Sequence, residues 1–199
     1  MISGSLFALV SFVLVATFTP GPSNISSASM GILYGYRNTL KFLAGLATGV
    51  FVMMVVSGLI STAILDLMPT VEPILRILGA AYILYLAVAI LKASYTFEQA
   101  DTAPMGYFQG LLLQILNPKL IVYAMTLFSA FLAPIADNPL LLVLAALILT
   151  TTAFCATSVW ALFGVIIQRY LHHPRVKLAV NVVLSLLLVY TAIDIAGII

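Results

Sequence analysis

Long apolar runs separated by short polar segments make up most of the chain. Six of these runs approach or exceed the roughly 20 residues that an α-helix needs to cross about 30 Å of hydrocarbon. We therefore predict six transmembrane helices, at residues 5–33, 39–65, 74–91, 107–132, 139–167 and 178–198. The remaining loops are too short for a soluble domain, so the prediction is one all-α polytopic membrane domain over residues 1–199.

The composition of the chain supports a membrane location. Of the 199 residues, 63% are apolar and 7% are charged, whereas soluble domains are roughly half apolar and a quarter charged. There is no basic block suited to nucleic acid, so no nucleic-acid partner is expected. Cys155 is the one cysteine, which excludes a disulfide or dithiol pair within one chain, and we predict that it is a small buried apolar residue.

The positive charges are distributed unevenly between the two ends of the predicted helices. The first, third and fifth loops carry six Lys and Arg residues, the other loops carry Arg76, and Lys119 falls inside a span. Lys and Arg favour the cytoplasmic side of a membrane, so both termini are predicted to lie outside the cytoplasm.

The two halves of the chain contain a weak internal repeat. Pro20 in the first predicted span has a counterpart 98 residues later, Pro118 in the fourth, and "YLAVAI" from Tyr85 resembles "YTAIDI" from Tyr190. Each half has an odd number of spans, so the halves would have opposite orientations. We predict two inverted three-helix repeats, at about residues 1–95 and 104–199, an architecture that belongs mostly to transporters.

The stretch "TPGPSN", residues 19–24, interrupts the first predicted span. Pro20 and Pro22 have no N–H group, so the carbonyl groups of Ala16 and Phe18 would lose the donors that a continuous helix supplies. An unsatisfied carbonyl group is costly in hydrocarbon. We therefore expect this break to face protein, water or a ligand.

The residues after the first proline suit the start of a new half-helix. Gly21 lets the chain turn, and Pro22 fits the first position of a helix. The N–H groups of Ser23 and Asn24 would then point into the break at the positive end of a helix dipole. Such an end is suited to binding a carboxylate.

The fourth predicted span is interrupted by "NPK", residues 117–119. Asn117 is a favoured N-cap and Pro118 a favoured first helical residue, so a second half-helix is predicted to begin here. Lys119 would lie at mid-depth at a cost of about 2.5–3.5 kcal/mol, and at the unfavourable end of a helix dipole. An anionic partner or loss of its proton would relieve both penalties. Gln114 is placed to donate to a freed carbonyl group.

These features also have purely structural explanations. Proline kinks in membrane helices often only shape packing, and a lysine side chain can extend to an interface. Two broken spans related by a repeat favour a binding site over two separate kinks. Asp194, the one carboxylate inside the predicted spans, is either a proton carrier or an exposed interface residue.

Other residues leave alternatives open. Gly45 and Gly49 are four residues apart, a spacing that predicts close helix packing within the bundle or across a homodimer. A further group of polar residues would either line a cavity or, for the tyrosines, anchor helix ends at the interface: Asn181, Tyr82, Tyr85, Tyr123 and Tyr190.

The order of the motifs resembles that of a known family over essentially the whole chain. The stretches "TPGPSN", "GYRNTLKFLAGLATG", "LGAAYILYLA", "QILNPKLIVY" and "LLLVYTAIDI" are similar to those of the LysE/RhtB family of amino-acid exporters. "GAAYI" and "LLLVY" look most like its cysteine and O-acetylserine exporter branch. Ser23 occupies a position where this family usually has Asn or Asp, whereas Asn117, Pro118 and Lys119 match the family pattern.

The resemblance implies efflux of amino acids or close derivatives from a bacterial cytoplasm, driven by the proton-motive force, and hence a bacterial inner-membrane location. The residues themselves predict a transporter with a small midplane site for a zwitterion, without cofactor or metal. The predicted binding residues are Thr19, Pro20, Gly21, Pro22, Ser23, Asn24, Asn117, Pro118 and Lys119.

In the predicted mechanism the substrate carboxylate lies between the Ser23–Asn24 half-helix start and Lys119. The substrate ammonium meets the freed carbonyl groups near Ala16 and Phe18, and protons pass through Lys119 or Asp194. An integral-membrane enzyme or redox carrier would need a catalytic motif or paired cysteines, and none occurs in the sequence. A channel would need a polar stripe through several spans, whereas the polar residues here cluster at two breaks.

Overall fold

The computed structural model describes residues 2–59, 74, 77–78, 80–81, 83–88, 91, 103–135, 138–170 and 174–195. The regular elements in these ranges are all helices. In chain order the long helices are α1 (Ile2–Phe18), α2 (Pro22–Leu59), α3 (Tyr107–Ile115), α4 (Pro118–Leu127), α5 (Pro139–Tyr170) and α6 (Pro174–Ile195). The end of α4 continues through a π-helical turn, Phe128–Leu132, and a 3-10 turn, Ala133–Ile135.

Helix α2 is two helices joined at Gly35, whose φ of 76° and ψ of 167° are not helical. An unbroken helix would separate Asn24 from Val50 by about 39 Å, yet both residues line one cavity. The chain therefore folds back at Gly35, and we call residues 22–34 α2a and residues 36–59 α2b. Glycine adopts a positive φ without the steric penalty of a side chain. This one-residue turn replaces the loop predicted between residues 33 and 39.

Both breaks predicted from the prolines are present. The first separates α1 from α2a at residues 19–21, and the second separates α3 from α4 at residues 116–117, where the helix axes bend by 59°. By length and composition α5 could cross a membrane, as could the 38 residues of α2, although the turn at Gly35 means that α2 would not do so as one straight helix. The bent pair α3–α4 would be a further span. Of the predicted third span, residues 74, 77–78, 80–81, 83–88 and 91 are described, and all of them are helical. The six-span inverted repeat stays a prediction.

A close approach of main chains joins α2a to α5. A Cβ atom placed on Gly31 would lie 2.1 Å from the Ala161 carbonyl oxygen, and one on Gly164 would lie 2.2 Å from that of Ala28. Both distances are far shorter than a carbon–oxygen contact allows. A side chain at either glycine would therefore push these two helices apart.

A second close approach joins α2b to α3. A Cβ atom on Gly45 would lie 2.0 Å from the Tyr107 carbonyl oxygen, and one on Gly110 would lie 2.2 Å from that of Phe42. A Cβ atom on Gly49 would lie 2.6 Å from the Cβ of Gln114 in α3. The glycine pair noted in the sequence therefore serves packing inside the chain.

The helices enclose two apolar clusters and expose apolar side chains outside. One cluster joins both arms of α2 to α3 and α5 through Ile25, Leu46 and Leu113, and the other joins α2b to α4 and α5 through Val50. Many large apolar side chains are exposed, as lipid contact requires of a membrane helix: for example Phe7, Phe108 and Leu140.

The prediction for Cys155 was wrong, because this residue is exposed on α5. In a soluble protein a cysteine within an apolar run points inward, since the outer face of a helix is polar. In a membrane protein the outer face is apolar as well. An apolar run therefore does not indicate which of its residues are buried.

Candidate functional site

A cavity of about 60 Å³ lies between the two breaks. Residues from α1, both arms of α2, α3, α4 and α5 contribute to its wall, so it sits where all of these helices meet. Its lining residues are Ala16, Thr17, Gly21, Ser23, Asn24, Val50, Gln114, Asn117, Lys119, Leu120, Tyr123, Ala153 and Thr157.

The start of α2 has the geometry that the sequence predicts. Pro22 is its first residue, and the Ile25 N–H donates to the Gly21 carbonyl oxygen at 2.9 Å. Within the described part of the chain, the N–H groups of Ser23 and Asn24 have no hydrogen-bond partner. These two donors lie at the positive end of the α2 dipole, beside the cavity.

The end of α1 obtains its donors from side chains. The Asn24 Nδ2 donates to the carbonyl oxygens of Thr17 and Thr19, at 2.9 Å each. The Trp160 Nε1 on α5 donates to the Phe18 oxygen at 3.2 Å. The sequence pattern gave no sign of Trp160, which lies 142 residues from its partner.

This arrangement changes what is available for a substrate ammonium group. The Phe18 carbonyl oxygen is engaged by Trp160, and Phe18 is not among the residues that line the cavity. Ala16 and Thr17 do line it. The Thr17 carbonyl oxygen already accepts from Asn24, so Ala16 is the lining residue at the negative end of α1 whose carbonyl oxygen Pro20 leaves without its helical donor.

The second break is capped by its own residues, as its sequence predicts. Asn117 is the N-cap of α4, and its Oδ1 accepts from the Lys119 N–H at 3.1 Å, with Pro118 at the first helical position. On the other side of the break, the Leu116 N–H donates to the Leu112 oxygen at 3.0 Å. The second break therefore needs no donor from another helix for these groups.

Hydrogen bonds join the two breaks to each other through Ser23. Its hydroxyl donates to Gln114 Oε1 and accepts from Asn117 Nδ2, the latter at 3.3 Å. All three residues are buried. Gln114 was expected to donate to a freed carbonyl group; the hydrogen bond that the structure shows for its side chain is instead one in which Oε1 accepts from Ser23.

Lys119 spans the gap between the two breaks. Its Nζ donates to the Thr19 carbonyl oxygen at 3.0 Å, and its side chain lies against Gly21, where an added Cβ would be 3.3 Å from Nζ. The main chain of Lys119 is in the first turn of α4, but its ammonium group reaches the C-terminal end of α1. A positive charge is favourable at that end.

The remaining wall of the cavity is formed by residues that the sequence patterns did not single out. The hydroxyl of Thr157 is bonded within α5 to the carbonyl oxygens of Ala153 and Phe154, at 3.0 and 3.1 Å. Val50 and Leu120 supply apolar surface. Small and apolar residues of this kind occur throughout the spans, so no local signal marks those at the cavity.

Of the predicted tyrosines, only Tyr123 is found at the cavity among those described, where it lies in the wall together with Thr17. Tyr85 and Tyr190 are 58% and 60% exposed, which fits an interfacial position better than a cavity wall. Tyr82 and the side chains of Asn181 and Asp194 lie outside the described residues.

The structure brings five of the nine predicted binding residues to the cavity wall: Gly21, Ser23, Asn24, Asn117 and Lys119. Thr19 contributes its carbonyl oxygen to Lys119 and Asn24. Pro22 and Pro118 are buried and start the two half-helices, whereas Pro20 is exposed.

Comparison with known proteins agrees with the resemblance seen in the motifs. The chain is 33% identical over 189 residues to a "Cysteine/O-acetylserine efflux protein" of Klebsiella pneumoniae subsp. pneumoniae, covering 94% of this chain and 95% of the relative. A protein of the same name from Salmonella typhimurium is 33% identical over 190 residues, with 96% of each chain covered. No solved structure matches the chain.

The family model described as "LysE type translocator" matches residues 14–197. This match includes both breaks and every residue of the cavity wall. Members of this family are transporters rather than enzymes, in keeping with a cavity built from helix ends and without a catalytic motif. The chain therefore belongs to the LysE family of translocators.

Proposed function

We propose that this protein exports small neutral amino acids or their derivatives from the bacterial cytoplasm by proton antiport. The expected substrates are cysteine, O-acetylserine and amino acids that resemble homoserine or threonine. The observation that carries the proposal is the cavity between two broken helices, which offers a helix N-terminus, a helix C-terminus and one ammonium group. The names of the relatives supply the substrate class and the direction.

The substrate carboxylate binds at the start of α2. The N–H groups of Ser23 and Asn24 are free donors within the described residues, and the Lys119 ammonium group lies against Gly21 between them and α1. A carboxylate here would offer Lys119 a charged acceptor in place of the Thr19 carbonyl oxygen. Hydrogen bonds between charged groups are about twice as strong as neutral ones.

The substrate ammonium group binds at the end of α1. Ala16 lines the cavity, and its carbonyl oxygen cannot receive a hydrogen bond from Pro20, which has no N–H group. Thr17 lies beside it. The two ends of a zwitterion would thus meet the two helix ends of opposite polarity, which explains how a site for a doubly charged molecule needs only one ionised side chain.

Transport by this site requires access from both sides of the membrane. The proposed architecture has six spans in two inverted repeats that move against each other, with both termini outside the cytoplasm. Protons would be carried by Lys119, which exchanges its partner when substrate binds, or by Asp194. The two breaks and the bend of 59° at the second one support this arrangement.

The proposal is tested with purified protein in proteoliposomes. A pH gradient is imposed, and uptake of radiolabelled cysteine, O-acetylserine, homoserine, threonine, alanine and lysine is measured. Small neutral amino acids should accumulate against their gradient, and collapse of the pH gradient with a protonophore should abolish accumulation. Transport that only equilibrates the substrate would contradict antiport, and transport of none of the panel would contradict the assigned substrate class.

A further inference from the structure

Four buried hydroxyl oxygens have no hydrogen-bond partner within the described part of the chain: those of Ser26, Ser29, Thr150 and Ser185. A serine or threonine in a helix ordinarily donates to the carbonyl oxygen one turn earlier, as Ser27 does to Ser23 at 2.7 Å. A buried hydroxyl without a partner is costly, and each instance calls for an explanation. A group that is hydrated in another conformation is one such explanation.

Two of these hydroxyls follow the cavity along α2a. Ser23 lies in the cavity wall, and Ser26 and Ser29 succeed it at intervals of three residues, which places the three side chains in one row along the helix. At 1.5 Å per residue they lie about 5 and 9 Å beyond Ser23, in the direction of Gly35. Both are fully buried, with 0% exposure.

A third hydroxyl precedes the cavity along α5. Thr157 lies in the cavity wall, and Thr150 is seven residues earlier, which places it on the same face about 10 Å away. Its oxygen is buried and has no partner among the described residues. Ser185 belongs to α6, which contributes no described residue to the cavity, and it is not part of the row.

The serines of α2a and Thr150 of α5 lie on opposite sides of the cavity because these two helices run in the same direction. Asn24 and Thr157 both line the cavity, and Gly31 and Gly164, each seven residues later, meet at the close approach of these two helices. Ser26 and Ser29 therefore lie between the cavity and the Gly35 end of the molecule. Thr150 lies beyond the cavity toward the opposite end.

We propose that Ser26, Ser29 and Thr150 line the route by which the substrate leaves the cavity on either side, and that each side is hydrated when it opens. This inference rests on the proposed function, since it assigns the route for a site of alternating access. Water, or the charged ends of a passing amino acid, supplies the missing hydrogen bonds. In the conformation that the structure shows, called the closed state here, the hydroxyl oxygens of all three residues are shut off from solvent.

The route is tested by cysteine accessibility. Ser26→Cys, Ser29→Cys and Thr150→Cys are each made in a Cys155→Ala background, which removes the natural exposed thiol. A membrane-impermeant, sulfonate-bearing methanethiosulfonate is applied from either side of sealed vesicles. The Ser26→Cys and Ser29→Cys variants should react from one side and Thr150→Cys from the other.

Two control variants distinguish the route from general looseness of the fold. Ala28→Cys lies on the same half-helix but belongs to the contact with Gly164, and Thr152→Cys lies on α5 away from the face of Thr150. The route variants should react at least about tenfold faster than both controls, because an impermeant reagent reaches only thiols that meet water. Equal rates for route and control variants, or reaction of all three route variants from the same side, would overturn the inference.

The labelling also separates this inference from the proposed function. Sided labelling together with failure to transport any amino acid would keep the route and reject the substrate class. Transport of amino acids by a protein whose route variants do not react would keep the substrate class and reject the route.

A second substitution keeps the test decisive where a cysteine variant does not fold. Ser26→Ala removes a hydroxyl that has no partner in the closed state, so the melting temperature should not fall, whereas amino-acid uptake should slow several-fold. A lower melting temperature with unchanged uptake would show that the hydroxyl serves packing and would overturn its place in the route.

Discussion

The two helix breaks contain similar residues, but they satisfy their main-chain groups in different ways. The second break caps itself, since Asn117 accepts from the Lys119 N–H and the Leu116 N–H closes the end of α3. The first break depends on donors from outside α1, because Asn24 and Trp160 serve the carbonyl oxygens of Thr17 to Thr19.

The difference follows from which helix end each break exposes. A side-chain oxygen at an N-cap can satisfy the N–H groups of its own helix, as Asn117 does. The Thr19 N–H closes the last turn of α1 on Val15, but Pro20 and Pro22 have no N–H group to donate to the carbonyl oxygens that follow. The carbonyl groups at the first break are therefore satisfied by residues of three other helices, α2a, α4 and α5, and depend on the positions of these helices. Lys119 is the donor that the second break contributes.

The largest effect is expected from Lys119→Met, which removes the ammonium group that joins the breaks. Transport should fall by about 100-fold or more, because a partly buried charge that meets an oppositely charged substrate group is worth several kcal/mol. The protein should still insert and elute as a single species from size-exclusion chromatography. Lys41→Met, at an exposed lysine of α2b, is the matched control and should transport normally. Normal transport by Lys119→Met would remove this residue from the site.

A smaller loss is expected from the double variant Pro20→Ala, Pro22→Ala. The new N–H groups allow α1 to continue into α2a, so the carbonyl and N–H groups at the break pair with each other instead of with substrate. Uptake should drop about tenfold, since both helix-end interactions are lost and each is worth about 0.3–1 kcal/mol. Pro139→Ala changes a proline at the start of α5, away from the cavity, and should have no effect. Unchanged uptake by the double variant would show that the first break is only a kink.

Thermal unfolding in detergent should distinguish the two breaks directly. Asn24→Ala leaves the Thr17 carbonyl oxygen without its donor and the Thr19 carbonyl oxygen with Lys119 alone, and should cost about 1–3 kcal/mol. Asn117→Ala loses an N-cap and a long hydrogen bond to Ser23, which keeps Gln114, and should cost about 1 kcal/mol. Asn38→Ala also removes an amide that donates to a carbonyl oxygen, but at an exposed position, and should be close to neutral. A larger cost for Asn117→Ala than for Asn24→Ala would reverse the contrast between the breaks.

The smallest effect is expected from Trp160→Phe. This change keeps an aromatic ring beside Phe163 but removes the donor to the Phe18 carbonyl oxygen. The loss should be about 0.5–1.5 kcal/mol, the net value of one hydrogen bond, measured as a shift of the unfolding midpoint. A change of transport without a change of stability would instead give Trp160 a role in the transport cycle.

The sequence predicted what depends on one or two residues at a fixed position. Prolines without N–H groups marked both breaks, and Asn117 with Pro118 marked the start of α4. The family was predicted correctly from the motifs and their order. These signals are local, because each follows from the covalent structure of the residue that carries it.

The sequence did not predict what depends on the packing of distant helices. Trp160 reaches α1 because α5 lies beside it, and Thr157 lines the cavity because of the direction of its helix face. The prediction that Cys155 is buried was wrong. Its run is apolar on all faces of the helix, so the sequence does not indicate which face meets lipid. For the same reason, nothing in the sequence distinguished Val50 from the other apolar residues of α2b.

The hydrogen bonds across the first break also have a consequence for the order in which the protein is made. Thr19 and Lys119 are 100 residues apart, and Phe18 and Trp160 are 142 residues apart. At a synthesis rate of roughly 5–20 residues per second, about 5–20 s pass between the translation of Thr19 and that of Lys119. During this interval Asn24 is the one partner of the three that already exists. The first break is therefore translated before the second, but its hydrogen bonds are completed only after Lys119 and Trp160 have been made.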